Sequence, residues 1–417
     1  MHRCQYCSLL LVLLLLGSGI AATADDWPQF RGPDRDGISK ETGLLRSWPD
    51  GGPKALWSVE LGQGYSAAAI HTGRVFFNDY DEANNEWLVR SVALDSGEEL
   101  WTFRETRRIR PNHGITRTVP AVDGKHVFSL DPKAVLHALD AETGEEVWRK
   151  NLVETHQAKI PPWYNGQCPL LDGGRLIIAP GGDAVMVALD PATGDEIWRT
   201  PNPENWPMSH SSVMVTTVDG TKQYLYSNLF GTIGVAADDG RLLWHFPFKF
   251  NVAVAPAPLP LSDGRVLITA GYDAGGAILR IGRSGESWTA EELVSLPPKL
   301  WNSEIQTPIF HNGHIFSVGR LKRGLFTTLD DQGRVVWTSE GRRAFEMGSY
   351  LFADGMFFVL EGKTGMLRLV EATSDDYREL ASAQVLSGHD VWGPLALSDG
   401  KLVIRDMGRM VCLEVGS

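Results

Sequence analysis

The sequence predicts an all-β protein, an eight-bladed β-propeller with four-stranded antiparallel blades. Three observations predict it. A motif of the form Ala-Leu-Asp-x-x-Thr-Gly-x-x-x-Trp recurs along the chain, and a hairpin turn containing Gly recurs in step with it. The start of the chain also holds a Trp strand that the last repeat lacks. Four-stranded sheets repeated every 40–50 residues or so, roughly one blade each, are typical of propellers.

The first observation is clearest in two copies, HALDAETGEEVW (137–148) and VALDPATGDEIW (187–198). Asp140 is suited to bond the backbone N–H groups just ahead of it, and Gly144 to take a positive φ, so the motif predicts a turn between two strands. Glu145 and Glu146 are expected to begin an outer, solvated strand, and the closing Trp to fill space between sheets. The closing tryptophans are Trp57, Trp101, Trp148, Trp198, Trp244, Trp288 and Trp337, with Tyr377 in a degenerate copy.

The second observation is a turn that ends in Gly, usually Asp-Gly, between two apolar runs. Such dipeptides are a strong signal for a β-hairpin. The runs that follow, such as RLIIA (175–179) and KLVI (401–404), are short and predict strands buried on both faces. Each repeat therefore provides four strands. The turn glycines are Gly73, Gly124, Gly173, Gly220, Gly264, Gly313, Gly355 and Gly400.

The third observation concerns the two ends of the repeat region. KALWSVEL (54–61) is a Trp strand with no partner strands before it, and the last repeat, 392–415, lacks its Trp strand. The N-terminal strand is therefore predicted to complete the eighth blade. This arrangement leaves no open sheet edge between the first and last blades.

The first 24 residues predict a secretory signal peptide. The apolar run 9–16 is too short to span a bilayer, and Ala22-Thr23-Ala24 fits a cleavage site. The predicted organisation is a signal peptide (1–24), an N-terminal extension (25–52) and a propeller (53–417). We expect an exported monomer, periplasmic or secreted, with no membrane span after cleavage. Cys168 and Cys412 either pair or remain two buried free thiols.

Composition excludes one class of partner and offers no metal site. The formal net charge is −12, and no long basic run is present, so nucleic acid is not an expected partner. His311 and His314 flank a hairpin turn, and the segment 34–37 lacks the later Glu of a calcium loop.

The segments that lead into the innermost strands predict the functional site, because together they form one mouth of the central channel. Their aromatic and polar residues suit a polar small molecule or a protein segment. Arg117 is suited to hold a carboxylate or phosphate through two hydrogen bonds. The alternative is that these residues bond only loop backbone and water. The candidate ligand-binding residues are His113, Arg117, Trp163, Tyr164, Gln167, His210, Glu304, Gln306, Glu346, His389 and Trp392.

The repeat motif resembles the tryptophan-docking repeat of PQQ-like, quinoprotein-type propellers over residues 53–415. WPQFRGPDRDG (27–37) is similar to the segment that opens many exported bacterial proteins of this kind. The resemblance implies one of two functions. One branch contains PQQ-dependent alcohol dehydrogenases, and the other contains BamB-type outer-membrane assembly proteins, which bind partners and use no cofactor.

The sequence departs from both branches. No two cysteines are adjacent, whereas the dehydrogenases carry an adjacent pair against PQQ, and the lipidation Cys of BamB-type proteins is missing. We therefore expect a non-catalytic binding or scaffold module of the cell envelope, without a cofactor. It would hold a protein or a polar small molecule at the mouth.

Two alternatives remain open. One is a PQQ-dependent alcohol or sugar dehydrogenase that binds PQQ and calcium. In that case Glu304, Glu346 or Asp390 would be the base, and Trp163 or Trp392 would stack on the quinone. The other is a purely structural envelope protein.

Overall fold

Eight four-stranded antiparallel sheets follow one another along the chain as the blades of a propeller, which confirms the predicted fold class. The computed structural model describes residues 26–110, 113–319 and 324–417, and the predicted signal peptide lies outside the described residues. Within each blade the strands are hydrogen-bonded in chain order, from the innermost strand outward. The closing blade is the exception, because its outer strand comes from the start of the chain.

The outer strand of the eighth blade is β1 (Lys54–Glu60). Blade 1 contains β2 (Ala69–His71), β3 (Arg74–Asp81), β4 (Glu86–Ala93) and β5 (Glu99–Thr106). Blade 2 contains β6 (Ala121–Val122), β7 (His126–Leu130), β8 (Val135–Asp140) and β9 (Glu146–Asn151), followed by the helix α1 (Leu152–His156). Blade 3 contains β10 (Leu170–Asp172), β11 (Arg175–Ile178), β12 (Ala184–Leu189) and β13 (Glu196–Pro201). Blade 4 contains β14 (Met214–Val218), β15 (Thr221–Asn228), β16 (Gly231–Ala236) and β17 (Leu242–Pro247).

Blade 5 contains β18 (Leu259–Pro260), β19 (Arg265–Ala270), β20 (Gly275–Ser284) and β21 (Ser287–Leu296). Blade 6 contains β22 (Ile309–His311), β23 (His314–Val318), β24 (Phe326–Asp330) and β25 (Val335–Thr338). Blade 7 contains β26 (Tyr350–Ala353), β27 (Met356–Leu360), β28 (Met366–Glu371) and β29 (Glu379–Gln384). Blade 8 contains β30 (Ala396–Ser398), β31 (Lys401–Arg405) and β32 (Arg409–Glu414), with β1 as its fourth strand.

Burial differs between the middle and outer strands, as the sequence pattern predicts. All six residues of β12 and all five of β27 are buried, because other blades pack on both faces of these strands. The outer strand β5 instead mixes exposed and buried positions. The core therefore lies between the blades.

The closure of the ring joins the two ends of the chain. β1 pairs with β32 from Lys54 opposite Glu414 to Glu60 opposite Arg409, which confirms the predicted closing strand. Arg405 crosses the seam between blades 8 and 1, where its guanidinium donates to the carbonyls of Ser66 (3.0 Å) and Gly62 (3.1 Å). Burial lowers the pKa of this guanidinium to about 10.

The closing tryptophans connect neighbouring blades. Trp101 Nε1 donates to the carbonyl of Ala141 in blade 2 at 3.1 Å, and the indole lies against Gly144 of the same turn. Gly144 has a φ of 76°, and a Cβ atom there would lie 2.6 Å from the Trp101 ring, so only Gly fits. The same indole bond links Trp57 to Leu94, Trp148 to Pro191, Trp198 to Ala237 and Trp337 to Thr373.

Blade 5 interrupts this pattern. Its long strands β20 and β21 are joined by a tight turn that lacks the Ala-Leu-Asp motif, so Trp244 has no such turn to meet and donates to Gln223 of its own blade at 2.8 Å. The structure places Trp288 near the hairpin tip, opposite Arg283. The position after the outer-strand bulge, which Trp101 has in blade 1, is held by Val294 in blade 5.

The segment 26–44, here called the strap, crosses the end of the channel opposite the mouth. Trp27 exchanges two backbone hydrogen bonds with Ile70 of blade 1 (2.9 and 2.8 Å). Arg31 donates to the carbonyls of Thr307 (2.6 Å) and Pro308 (2.8 Å) before blade 6. Further strap bonds reach the innermost strands of blades 2, 3 and 7 and the hairpin turn of blade 8, through Val122, Leu171, Phe352 and Gly400.

Two further features are the lengths of the helices and the state of the cysteines. No helix in the described part of the chain is both long and apolar enough to cross a membrane. Cys168 and Cys412 are both buried free thiols. Burial raises the pKa of each thiol, so both are protonated near neutral pH.

Candidate functional site

A cavity of about 330 Å³ lies at the channel mouth, where the loops that precede the innermost strands converge. We call these loops the mouth loops. They contribute lining residues from all eight blades, and one loop between the second and third strands of blade 5 contributes Tyr272. The complete lining is Phe30, Tyr65, His113, Arg117, Trp163, Gly166, Cys168, His210, Ser212, Ala253, Ala255, Tyr272, Glu304, Ile305, Gln306, Met347, Trp392 and Pro394.

Seven of the eleven candidate residues line this cavity. They come from mouth loops of five different blades, so the fold brings together side chains that are up to 279 positions apart (392 − 113). The seven are His113, Arg117, Trp163, His210, Glu304, Gln306 and Trp392.

The other four candidates lie outside the lining. Gln167 is fully buried, and its side-chain amide bonds the backbone N and O of Ala179 (2.8 and 3.0 Å), which is a structural role. The Tyr164 hydroxyl meets the backbone of Arg110. His389 points to solvent with 77% of its side chain exposed. Glu346 and the alternative base Asp390 are also absent from the lining.

Two stacked aromatic pairs form the walls. Tyr65 and Trp392 stack with ring centroids 5.3 Å apart and an interplanar angle of 14°. Trp163 and Tyr272 lie nearly parallel at 6.3 Å and 5°. Parallel aromatic walls present flat faces to a ligand, and such faces favour a planar or ring-bearing molecule.

Several residues at the mouth have left-handed backbone conformations that their side chains disfavour. The φ angles are 59° for His113, 64° for Trp163, 69° for Tyr164 and 56° for Tyr272. In the hairpin turns the comparable positions are mostly Asp or Asn, which tolerate this conformation. Bulky residues held there cost about 1–3 kcal/mol each, and such strain collects at functional sites.

Arg117, His210 and the carboxylate of Glu304 all contribute to the electrostatics of the cavity. The Arg117 guanidinium lies over the Tyr65 ring at 5.5 Å. Burial lowers its pKa to about 10, which leaves it charged at neutral pH, and the nearby phenols of Tyr65, Tyr164 and Tyr272 partly oppose this shift. Burial, together with the charge of Arg117, lowers the pKa of His210 to about 4, so this imidazole is neutral.

Glycines make room for the side chains that line the cavity. A Cβ atom at Gly271 would lie 2.6 Å from Glu304, and one at Gly166 would lie 3.0 Å from His210. A Cβ atom at Gly114 would lie 2.8 Å from the Tyr65 ring. These close approaches fix where the lining side chains lie.

Sequence reasoning missed three lining residues of consequence. Tyr65 lies in the mouth loop before β2, and that position is the signal that could have found it. Tyr272 lies in a loop between the second and third strands of its blade, which no position before an innermost strand marks. Phe30 belongs to the strap, and no repeat predicts where the strap docks.

The donor set of the cavity does not fit the calcium ion that accompanies PQQ. Calcium takes about 6–8 oxygen ligands, usually with several carboxylates. Among the lining residues that the structure describes, Glu304 is the one carboxylate. The Gln306 amide donates to the carbonyls of Met347 (3.2 Å) and Trp392 (2.9 Å). Cys168 is also a single cysteine, so the lining lacks the adjacent cysteine pair that the resemblance to PQQ-dependent dehydrogenases implies.

Within the described ranges, one cluster of metal-ligating groups lies elsewhere, between the outer parts of blades 1 and 2. His137 is fully buried, with Nδ1 2.8 Å from Glu146 Oε1 and Nε2 3.9 Å from Glu105 Oε2. Arg107 and Arg149 both bond Glu105 at 2.8 Å, so the cluster is an ion-pair network between blades. The expectation that Glu146 is simply solvated is wrong, because its bond to His137 lowers its pKa.

Comparisons with solved structures support the fold. The chain is similar to a europium-containing methanol dehydrogenase, with 12% identity and a TM-score of 0.66 over 92% of this chain and 90% of that one. It is also similar to the quinohemoprotein alcohol dehydrogenase ADHIIG from Pseudomonas putida HK5, with 12% identity and a TM-score of 0.61 over 94% and 80% of the two chains. The computationally designed protein Ika8 matches at 13% identity and a TM-score of 0.59 over 87% and 100%.

At these identities the likeness shows the fold alone. No curated protein matches the sequence. A family model described as outer membrane protein assembly factor BamB matches residues 84–339, which is more than half of the chain. The chain therefore belongs to this family of PQQ-like propellers.

Proposed function

We propose that this protein is an exported binding module of the cell envelope, which holds a ring-bearing organic anion in the cavity at the channel mouth. The observation that carries the proposal is the charged, partly buried Arg117 beside two stacked aromatic pairs in one cavity. The family description, an outer membrane protein assembly factor, supports the envelope location.

The aromatic pairs favour a ring. Trp163 and Tyr272 keep parallel planes although both have left-handed backbones, and that arrangement needs the surrounding loops to hold it. A ligand ring placed against either pair would gain about 0.5–1.5 kcal/mol beyond the burial of its apolar surface. The volume of about 330 Å³ suits a small molecule or the terminal group of a larger partner.

Arg117 favours an anion. A guanidinium in a partly desolvated site forms hydrogen bonds to carboxylates that are stronger than those between neutral groups. Burial lowers the pKa of His210 and raises the pKa of the Tyr65 phenol, so both groups are neutral near pH 7 and add hydrogen-bonding capacity without charge. A carboxylate is therefore the ligand group that this part of the cavity fits best.

The test measures separately how the aromatic ring and the negative charge of a ligand contribute to its affinity. Isothermal titration calorimetry would compare 2-naphthoate (ring and charge), 2-naphthylmethanol (ring only) and acetate (charge only). Wild-type protein should bind 2-naphthoate at least tenfold more tightly than either of the others, since a charge-assisted hydrogen bond contributes about 1.5–3 kcal/mol.

The matched variants are Arg117→Gln and Arg104→Gln. Arg104 lies on β5 and is half exposed, with Glu86 at 3.4 Å, so its loss should leave binding unchanged. Arg117→Gln should abolish the preference for naphthoate over naphthylmethanol. If wild-type protein binds none of the three probes, or if Arg117→Gln keeps the preference, the proposal fails.

A parallel incubation with PQQ, with and without calcium, tests the dehydrogenase alternative. Retention of PQQ through gel filtration only when calcium is present, with reduction of an artificial electron acceptor by an alcohol, would replace the binding-module proposal. We expect neither, because the lining offers one carboxylate for calcium.

A further inference from the structure

One residue of the cavity lining comes from outside the propeller repeats. Phe30 belongs to the strap and is the one residue of the described lining that precedes β1. The mouth loops precede the innermost strands, whereas the strap bonds positions farther along those strands, such as Ile70 and Phe352. Phe30 therefore reaches the cavity from the opposite end of the channel.

We propose that the strap is part of the ligand site, and that Phe30 forms its floor and sets the length of the ring system that it accepts. This proposal rests on the proposed function. It adds a specificity-determining residue that lies outside the repeat and is not supplied by any mouth loop.

Two buried arginines near Phe30 in the chain tie the strap to two different blades. Arg31 donates to the carbonyls of Thr307 and Pro308 at the start of blade 6. Arg35 donates to the carbonyl of Pro169 (2.7 Å), next to Cys168 at the start of blade 3. Blades 4 and 5 stand between blades 3 and 6 in the ring, so the strap is tied to two separate parts of the channel wall.

Arg35 also supports the ring directly. Its guanidinium lies over the Phe30 ring, 5.6 Å from the ring centre, and Arg35 itself is only 1% exposed. The same guanidinium donates to Gln29 Oε1 at 3.3 Å, and Gln29 in turn bonds Leu171 of β10. The floor is therefore a fixed surface, and a ligand that is too long cannot displace it without breaking these bonds.

The ring system that fits should change when the floor moves. Phe30→Ala lowers the floor by one phenyl ring, whereas Phe30→Trp raises it. Discrimination by one added group in an apolar pocket is about 10–200-fold. We expect Phe30→Ala to shift the ratio of affinities for 2-anthroate over 2-naphthoate at least tenfold upward. We expect Phe30→Trp to shift the ratio for benzoate over 2-naphthoate upward.

The control is Phe103→Ala, a partly buried Phe on the outer strand β5 that is not part of the lining. Calorimetry of all variants with benzoate, 2-naphthoate and 2-anthroate gives the ratios, and thermal unfolding shows that each variant is folded. Should Phe30→Ala fail to fold, Phe30→Leu and Phe30→Trp decide the matter, because they preserve an apolar side chain.

The two proposals fail in different ways. If wild-type protein binds none of the aromatic acids, the proposed function is overturned. If wild-type protein binds 2-naphthoate through Arg117, but the length preference is unchanged in the folded Phe30 variants, the floor proposal alone is overturned. A shift of equal size in Phe103→Ala would also overturn it.

Discussion

The rim of this propeller, where the closing tryptophans contact the next blade, and the mouth of its channel belong to the same blades. They differ in how far their residues repeat from blade to blade. At the rim, a tryptophan of one blade donates to a turn of the next blade in five places, and in four of them its indole also packs on a glycine of that turn. At the mouth, no two loops share a sequence. Arg117 and Glu304 are each the one residue of their type among the lining residues that the structure describes.

The difference separates packing from specific chemistry. A residue type that recurs from blade to blade serves the packing of one blade on the next, which the blades share. A residue type that occurs once serves its own position alone. Gln167 is an exception, because it occurs once and yet its side-chain amide only forms hydrogen bonds with the backbone of Ala179.

The largest expected effect is at the rim. Trp101→Ala removes a buried indole, its bond to Ala141 and its contact with Gly144, and should lower the free energy of unfolding by about 3–5 kcal/mol. Trp288→Ala is the matched control, because Trp288 lies near a hairpin tip and contacts Arg283. It should cost about 1 kcal/mol or less.

Chemical denaturation followed by circular dichroism measures both variants. Equal losses for Trp101→Ala and Trp288→Ala would contradict the distinction between docked and undocked tryptophans. They would also mean that blade 5 is held by its tryptophan after all.

A smaller effect is expected at the strap. Arg31→Met keeps an apolar side chain of similar length but leaves four backbone carbonyls without their guanidinium donor. The loss should be about 3 kcal/mol, since buried polar groups that lose a charged partner are costly. Arg46→Met is the control, because Arg46 bonds one carbonyl, that of Asp354, at the exposed surface.

Arg46→Met should change the free energy of unfolding by about 0.5 kcal/mol or less. The same denaturation curves supply the comparison. A harmless Arg31→Met substitution would show that the strap is not anchored through its buried guanidinium.

The smallest expected effect is the pH dependence from His210. Burial lowers the pKa of this imidazole from 6.5 to about 4, so below pH 6.5 the unfolded chain takes up a proton that the folded chain does not. The contribution of the neutral His210 imidazole to the free energy of unfolding is therefore fully present above pH 6.5, and it is lost as the pH falls toward 4. Between pH 6.5 and pH 5 the loss should be about 2 kcal/mol, at about 1.4 kcal/mol for each pH unit.

His210→Gln should flatten this part of the stability profile, whereas His389→Gln, at an exposed position, should not. Urea midpoints measured at half-unit steps from pH 5 to pH 7.5 decide the matter. An unchanged slope in His210→Gln would show that another group titrates there.

Most of the fold could be predicted from the sequence because the repeat places the same packing residues at successive blade interfaces. Gly144 and Trp101 mark one blade interface, and their equivalents mark the others. Blade 5 was the exception. Trp288 matched the spacing of the repeat, but the position that packs on the next blade is held by Val294, since a longer hairpin moved the register.

The site could be predicted only in part. A mouth-loop position such as Arg117 follows from topology alone, because topology states which loops meet. The direction of each side chain does not follow, so Gln167 and His389 were grouped with residues that reach the cavity. Phe30 could not be found, since the docking of the strap depends on contacts with strands far away in the chain.

The pairing of β1 with β32 has a consequence for how the chain folds. Lys54 pairs with Glu414, 360 positions later, so the ring cannot close before almost the whole chain is available. Contacts between such distant positions slow folding. Until closure, β32 keeps an unpaired edge that another chain could join. The strap bonds both early and late blades, so the floor of the cavity should be among the last parts of the molecule to form.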